Sequence, residues 1–241
     1  MVHSLKSNNE LVEQQLFDNA NDAFLYYYDE ISEYGREYGN TKCLFNIGFY
    51  ILNPSKNNID AEFRNWKKSY AEKEWLWYLS SDRSALEISK YAKIWLNHMD
   101  SKGNVNSNYG FQWNRNNQIY NVINKLRYEK NTRQAWLTIY DGKEIDESYA
   151  TNNGYESDTP CTLNIGFNVI ENKLNMTVLM RSNDLWYGFC NDQYCFSNLQ
   201  LMVADALRLK VGWYYHFANN IHIYHNQLNK KNNGTKTNIL R

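Results

Sequence analysis

The chain has 241 residues and zero formal net charge, 26 Lys and Arg balancing 26 Asp and Glu. That length suffices for one domain with a sizeable core, and the neutral balance predicts no nucleic-acid or membrane surface from charge alone. Aromatic residues make up 16%, 20 of them tyrosine, against only 2 prolines, which excludes a disordered chain and indicates a packed body with broad stacking surfaces. In chain order, Leu11 to Glu33 carries Leu11, Leu16, Ala20, Phe24, Tyr27 and Ile31 at helical spacing and predicts a helix. Cys43 to Leu52 is apolar and β-prone and ends at Asn53-Pro54, a strand followed by a turn. Phe63 to Leu79 and Ala85 to Leu96 predict helices, the second behind Ser81 and Asp82 as cap candidates. Ser101 to Tyr109, rich in Gly and Asn, is a loop, and Gln118 to Tyr128 is a helix with Ile119, Val122, Ile123 and Leu126 on one face.

Gln134 to Tyr140 reads as a strand. After a polar loop from Asp141 to Asp158, Cys161 to Ile170 and Leu174 to Arg181 form a hairpin across Glu171, Asn172 and Lys173. Asn198 to Leu209 is an apolar helix, and Trp213 to Tyr224 supplies one or two strands. This interleaving predicts an α+β fold, with helices covering one side of a largely antiparallel or mixed sheet. Residues 1–225 are expected to form a single domain, and the polar residues 226–241 a disordered tail.

Cys43, Cys161, Cys190 and Cys195 lack the density of a disulfide scaffold, the start Met1 to Ser7 is polar, and no apolar run reaches membrane-spanning length. The expectation is a reduced, cytoplasmic setting with free thiols. Cys190 and Cys195 match no common zinc spacing and read as core cysteines. Cys161, alone on an apolar strand, would read the same way.

Its context changes that reading. Thr159-Pro160-Cys161 is followed by Arg181-Ser182-Asn183-Asp184, then Gly188, Asn191-Asp192 and His222-Ile223-Tyr224, while Glu74 lies upstream in Glu74-Trp75-Leu76-Trp77. From Glu74 to Tyr224 this pattern resembles the thymidylate synthase family, closest to its branch of deoxycytidylate and cytidylate 5-hydroxymethylases. The resemblance implies the family's fold, a homodimer formed through the sheet, and 5,10-methylenetetrahydrofolate as co-substrate. It implies no metal, no nucleic acid and no membrane. For a phage-encoded chain the location would be the host cytoplasm.

By the same resemblance, Cys161 is the nucleophile that adds to carbon 6 of the pyrimidine and makes carbon 5 nucleophilic. Arg181 binds the nucleotide phosphate and lowers the thiol pKa, and Ser182 adds a hydrogen bond to the phosphate. Glu74 orders water and moves protons, its apolar surround raising its pKa. Arg133 matches the segment that grips the partner subunit's phosphate, although Gln134 stands where many members have a second arginine. Arg36 matches a flexible-loop arginine over the phosphate. His222 and Tyr224 hydrogen-bond the sugar, Tyr109 and Trp95 line the cavity beside base and folate, and Asp184, with Gly188 nearby, meets the pterin. Residue by residue the plainer readings remain: a salt-bridged Arg181, a solvated Glu74, core aromatics at Trp95 and Tyr109.

Asp192 takes the position of an asparagine that reads uracil in the synthases. A carboxylate only accepts hydrogen bonds unless protonated, which suits the amino group of cytosine; the competing reading is a helix N-cap. Thr162 after the nucleophile, where the synthases commonly have His, resembles the hydroxymethylases of T-even phages, as does Ser101 to Gly110. Only 17 residues, most of them polar, follow Tyr224 (241 − 224), and the long closing C-terminal segment of the synthases is expected to be missing. Together these favour folate-dependent hydroxymethylation of dCMP, with CMP second. The alternatives are reductive methylation of dCMP or dUMP, and a nucleotide-binding relative without turnover.

Overall fold

The computed structural model describes residues 15–141 and 158–231. The strands are β1 (Gln15–Phe17), β2 (Arg36–Tyr38), β3 (Thr41–Ile51), β4 (Trp136–Thr138), β5 (Thr162–Ile170), β6 (Lys173–Met180), β7 (Asn183–Asp184) and β8 (Lys210–Tyr224). The helices are α1 (Ala20–Tyr34), α2 (Lys68–Ser80), α3 (Ala85–Ile88), α4 (Tyr109–Asn114), α5 (Gln118–Tyr128) and α6 (Cys190–Leu207). One sheet runs β1-β3-β8-β6-β5-β4, with β2 on β3 and β7 on β8. Pairings of β8 with β6 and β7, and of β1 with β3, are parallel; the others are antiparallel. This is the α+β arrangement expected, with a mixed sheet.

Local chemistry explains the elements. Asn19 caps α1 by accepting from Asp22 N at 2.9 Å, and the helix buries Ala20, Ala23, Phe24, Tyr27, Tyr28 and Ile31, a stripe at helical spacing. The β5–β6 hairpin turns on Glu171 and Asn172, with φ of 48° and 60°. Two left-handed residues make the turn whose twist matches that of the flanking strands. α6 crosses the core and buries polar side chains that have backbone partners: Gln200 Nε2 donates to Leu174 O at 2.9 Å and Trp213 O at 3.0 Å.

Several sequence expectations shift. The helix expected from Leu11 begins at Ala20, because residues 15–17 pair in parallel with β3; residues 11–14 lie outside the described residues. Phe63 to Leu79 divides into a short turn, Glu62–Arg64, and α2, while Ala85 to Leu96 divides into α3 and a turn, Lys93–Asn97. The break after Arg64 follows the left-handed Asn65. The strand expected over Gln134 to Tyr140 shortens to Trp136–Thr138.

The helix expected from Asn198 starts at Cys190, prefaced by a wide turn, Leu185–Phe189. Polar residues at 191–193 had broken its apolar pattern. In the expected tail, residues 226–231 pack on α1: Tyr28 Oη donates to Gln227 O at 3.0 Å, and Lys231 Nζ meets Asp29 at 2.7 Å. The rest of that tail, and most of the polar loop after Asp141, lie outside the described residues.

Candidate active site

Two adjoining cavities sit beside β8 and the start of α6. The larger, about 800 Å³, is bordered by Glu74, Cys161, Asp192, Tyr109, Trp95, Asp184, Gly188 and Tyr224. The smaller, about 430 Å³, is bordered by Arg181, His222, Thr41 and the turn at Gly39 and Asn40. Ser182 faces both. Eleven of the thirteen residues singled out from sequence therefore border these two cavities.

Cys161 lies one residue before β5, its carbonyl accepting from Arg181 N at 2.8 Å. The Arg181 guanidinium is clamped on carbonyls just ahead of the thiol: Nε to Pro160 O at 3.0 Å and Nη2 to Thr159 O at 2.7 Å. Burial pushes the thiol up to about 11, and the Arg181 charge opposes this without reversing it. The activation expected of Arg181 is thus present in direction and outweighed by desolvation.

Glu74 is 3% exposed, so it is no solvated helix charge. It shares the buried face of α2 with Ala71 and Tyr78, and Tyr78 Oη donates to its Oε1 at 2.8 Å. Burial raises its carboxyl above the usual range, while the Tyr78 hydroxyl holds it down. Its Oε2 is buried with no hydrogen-bond partner among the described residues.

Asp192 stands in the first turn of α6, 8% exposed, and Asn183 Nδ2 donates to its Oδ2 at 2.9 Å. Burial first and the Glu74 charge second raise it to about 8. It is not the cap that sequence also allowed. That work falls to Asp184, whose Oδ1 accepts from Trp186 N at 2.8 Å and Tyr187 N at 3.1 Å, and which burial raises to about 6. Trp95 donates from Nε1 to Tyr70 Oη at 2.8 Å, and Tyr109 packs between Tyr78 and Phe196 at centroid distances of 5.5 and 5.4 Å. His222 pairs through Nδ1 with Asn220 Oδ1 at 2.9 Å, and burial lowers its pKa.

Arg36 and Arg133 are not brought in. Arg36 is exposed on β2 opposite Cys43, while the residues that follow it, Tyr38 to Asn40, border the smaller cavity. Arg133 is exposed ahead of β4 at the sheet edge.

The sequence reading missed Asn183, although it stands inside the Arg-Ser-Asn-Asp run, and it missed its partner His216, which looks like an ordinary strand residue. It also missed Asp158, which accepts from Ser107 N at 2.9 Å and lies 3.8 Å from His98 Nδ1. Cys190 and Cys195 are buried and free, as expected of core cysteines. No cluster of three or more His, Cys, Asp or Glu suited to a metal occurs among the described residues, and no described helix is long and apolar enough to cross a membrane.

A deoxyuridylate hydroxymethyltransferase of Bacillus phage SP01 is 32% identical over 186 residues, 71% of this chain and 47% of the relative. One from Delftia phage PhiW-14 is 26% identical over 196 residues, 77% of this chain and 54% of the relative. A thymidylate synthase of Bacillus licheniformis is 24% identical over 176 residues, 69% and 60% of the two chains. The chain spans about half the length of the phage relatives it matches. The family model described as thymidylate synthase matches residues 62–238, a span that holds Glu74, Cys161 and Asp192, and the chain belongs to the thymidylate synthase family.

Proposed function

We propose that the chain hydroxymethylates carbon 5 of a cytidine monophosphate, dCMP ahead of CMP, with 5,10-methylenetetrahydrofolate as one-carbon donor. The observation that carries the base is Asp192: a buried carboxyl in the same cavity as the Cys161 thiol, one oxygen already held by Asn183. Ionised, it accepts from the cytosine amino group. Protonated on one oxygen, it also donates to ring N3.

The remaining residues take roles by position. Arg181, Ser182 and the turn at Gly39 and Asn40 suit a phosphate, since a guanidinium and exposed turn N–H groups complement its oxygens. His222 and Tyr224 lie between phosphate and base, where a sugar would sit. Arg133 reaches a phosphate only from a second subunit, the role that pairing through the sheet gives it. Ile94, Trp95 and Tyr187 supply apolar walls and Asp184 an acceptor for a pterin, so the cavity fits the folate. The folate supplies a carbon at the oxidation level of formaldehyde.

The Cys161 thiolate adds to carbon 6, carbon 5 forms the new carbon–carbon bond to the donor's one-carbon unit and loses its proton, and the bond from that unit to the folate nitrogen breaks, which releases tetrahydrofolate and leaves an exocyclic methylene. Water adding there shifts the double bond into the ring, expels the thiolate from carbon 6 and releases one proton. Water needs a polar wall. His98, Ser107 and Asp158 provide one in the same cavity, with Asp158 near enough to act on the thiol electrostatically. The two phage relatives, named as deoxyuridylate hydroxymethyltransferases, support hydroxymethyl over methyl and deoxyribose over ribose.

Those names also favour a second reading, in which the base is uracil. Folate-dependent release of tritium from carbon 5 of labelled dCMP and dUMP separates the readings. Release from dCMP with little from dUMP is expected; release from dUMP alone overturns the cytosine reading, and none from either overturns catalysis. Glu74→Gln keeps the Tyr78 hydrogen bond and is expected to slow release about 10²- to 10⁴-fold, the usual range for loss of a proton-transfer group.

A further inference from the structure

Asp192 is the last link of a buried hydrogen-bonded chain that begins on β8. The Tyr214 hydroxyl lies 2.8 Å from His216 Nδ1, His216 Nε2 lies 3.1 Å from Asn183 Oδ1, and Asn183 Nδ2 donates to Asp192 Oδ2 at 2.9 Å. Tyr214 and His216 are 0% exposed and Asn183 2%. None of the three has a part in the thiol chemistry.

Each link fixes the next. The Asn183 carbonyl oxygen only accepts, so His216 carries a proton on Nε2. Burial pushes the His216 ring down to about 3, so it is neutral and holds that one proton. Its Nδ1 is then an acceptor, and the Tyr214 hydroxyl donates to it. With the amide so oriented, Asn183 keeps Asp192 Oδ2 an acceptor. Gly188 leaves room for the pair: a Cβ there would stand 3.1 Å from both Asn183 Nδ2 and Asp192 Oδ2.

We infer that Tyr214, His216 and Asn183 are positioning residues for base choice, which lock the order of donor and acceptor on the Asp192 carboxyl so that it reads one pyrimidine and rejects the other. This role rests on Asp192 being the base reader. Cytosine presents an acceptor at N3 beside a donor amino group; uracil presents a donor at N3 beside an acceptor oxygen. A neutral carboxyl whose proton moves freely between its oxygens matches both. With Oδ2 held as acceptor, the proton stays on Oδ1 and one order is offered.

The groups facing Asp192 keep that proton in place. Burial and the Glu74 charge, with a smaller contribution from Asp184, raise it to about 8, and the neighbouring hydroxyls of Tyr78, Tyr109 and Tyr214 are all raised by burial and stay neutral.

The test is the dissociation constant of dCMP and of dUMP, measured by calorimetry on the full chain and on its His216→Phe and Tyr214→Phe variants. His216→Phe is expected to lower discrimination between the two at least about tenfold, chiefly by tightening the rejected nucleotide, with Tyr214→Phe moving the ratio the same way by less. If both variants weaken both nucleotides equally and leave the ratio unchanged, the three residues are structural and the inference is overturned. Should His216→Phe fail to fold, the ratio for Tyr214→Phe decides. The wild-type ratio separately tests the base: a preference for dUMP overturns the cytosine reading, while the change of ratio in the variants still decides the relay.

Discussion

Cys161→Ala is expected to abolish turnover, lowering kcat by roughly four orders of magnitude or more, while dCMP binding survives within a few-fold. The thiol borders the larger cavity together with Asp192 and Glu74. Without it carbon 5 remains too weak a nucleophile to attack the one-carbon donor, whatever the positioning. Binding depends on groups that the substitution leaves alone: Arg181 and Ser182 at the phosphate, Asp192 at the base. The Arg181 clamp also survives, because it grips the carbonyls of Thr159 and Pro160 and not the thiol. Single-turnover measurement of product, with calorimetric dCMP binding, checks both halves. Retained turnover would remove covalent catalysis; lost binding would point to a collapsed pocket.

Asp192→Asn is expected to shift preference from cytosine to uracil nucleotides by at least about 10²-fold in kcat/KM, within the roughly 10⁴- to 10⁵-fold by which sites built around hydrogen bonds reject the wrong partner. An amide can still accept from Asn183 with its oxygen, which turns its NH₂ toward the cavity and the uracil carbonyl. The same change is expected to stabilise the fold. Asp192 is raised to about 8, whereas an unfolded Asp titrates near 4. The folded state therefore holds this proton more tightly than the unfolded chain. The wild type loses stability as pH rises from about 4 towards 8, and the loss is complete above the folded pKa. Asparagine has nothing to ionise. Its stability gain should be near zero at pH 4 and reach about 5 kcal/mol by pH 8, from roughly four pKa units at about 1.4 kcal/mol each, which thermal melts across that range would show. A gain that is flat with pH would mean that the carboxyl is not buried as described.

Much of this site was legible in sequence because its residues are chemical types in a fixed register. Cys161, Arg181, Asp184, Asp192, His222 and Tyr224 lie on or beside consecutive elements β5 to β8, where short connections keep sequence spacing and spatial spacing in step. Glu74 was legible from its match to the family pattern, and its aromatic neighbours indicated the burial that raises its pKa. Arg36 and Arg133 were not placed by the same reasoning: Arg36 is exposed at the start of β2 and Arg133 is exposed in the connection ahead of β4, both outside that register.

His216 was invisible for another reason. On a strand it alternates with Tyr215 and Phe217 as any core residue would, and only the parallel approach of β7 to β8 brings Asn183 to its Nε2. The start of α6 was hidden in the same way. Asn191, Asp192 and Gln193 look like a loop, yet Gln193 is fully buried and its Nε2 donates to Asn57 O at 2.8 Å. Polar residues inside a core helix erase the apolar period that marks a helix.

The most direct measurement is the mass of the product formed from dCMP and dUMP, each incubated with the protein and methylenetetrahydrofolate. The expected result is dCMP gaining CH₂O, with dUMP largely unchanged. A product that gains CH₂ would contradict the addition of water, and conversion of dUMP in preference to dCMP would contradict the reading of cytosine by Asp192.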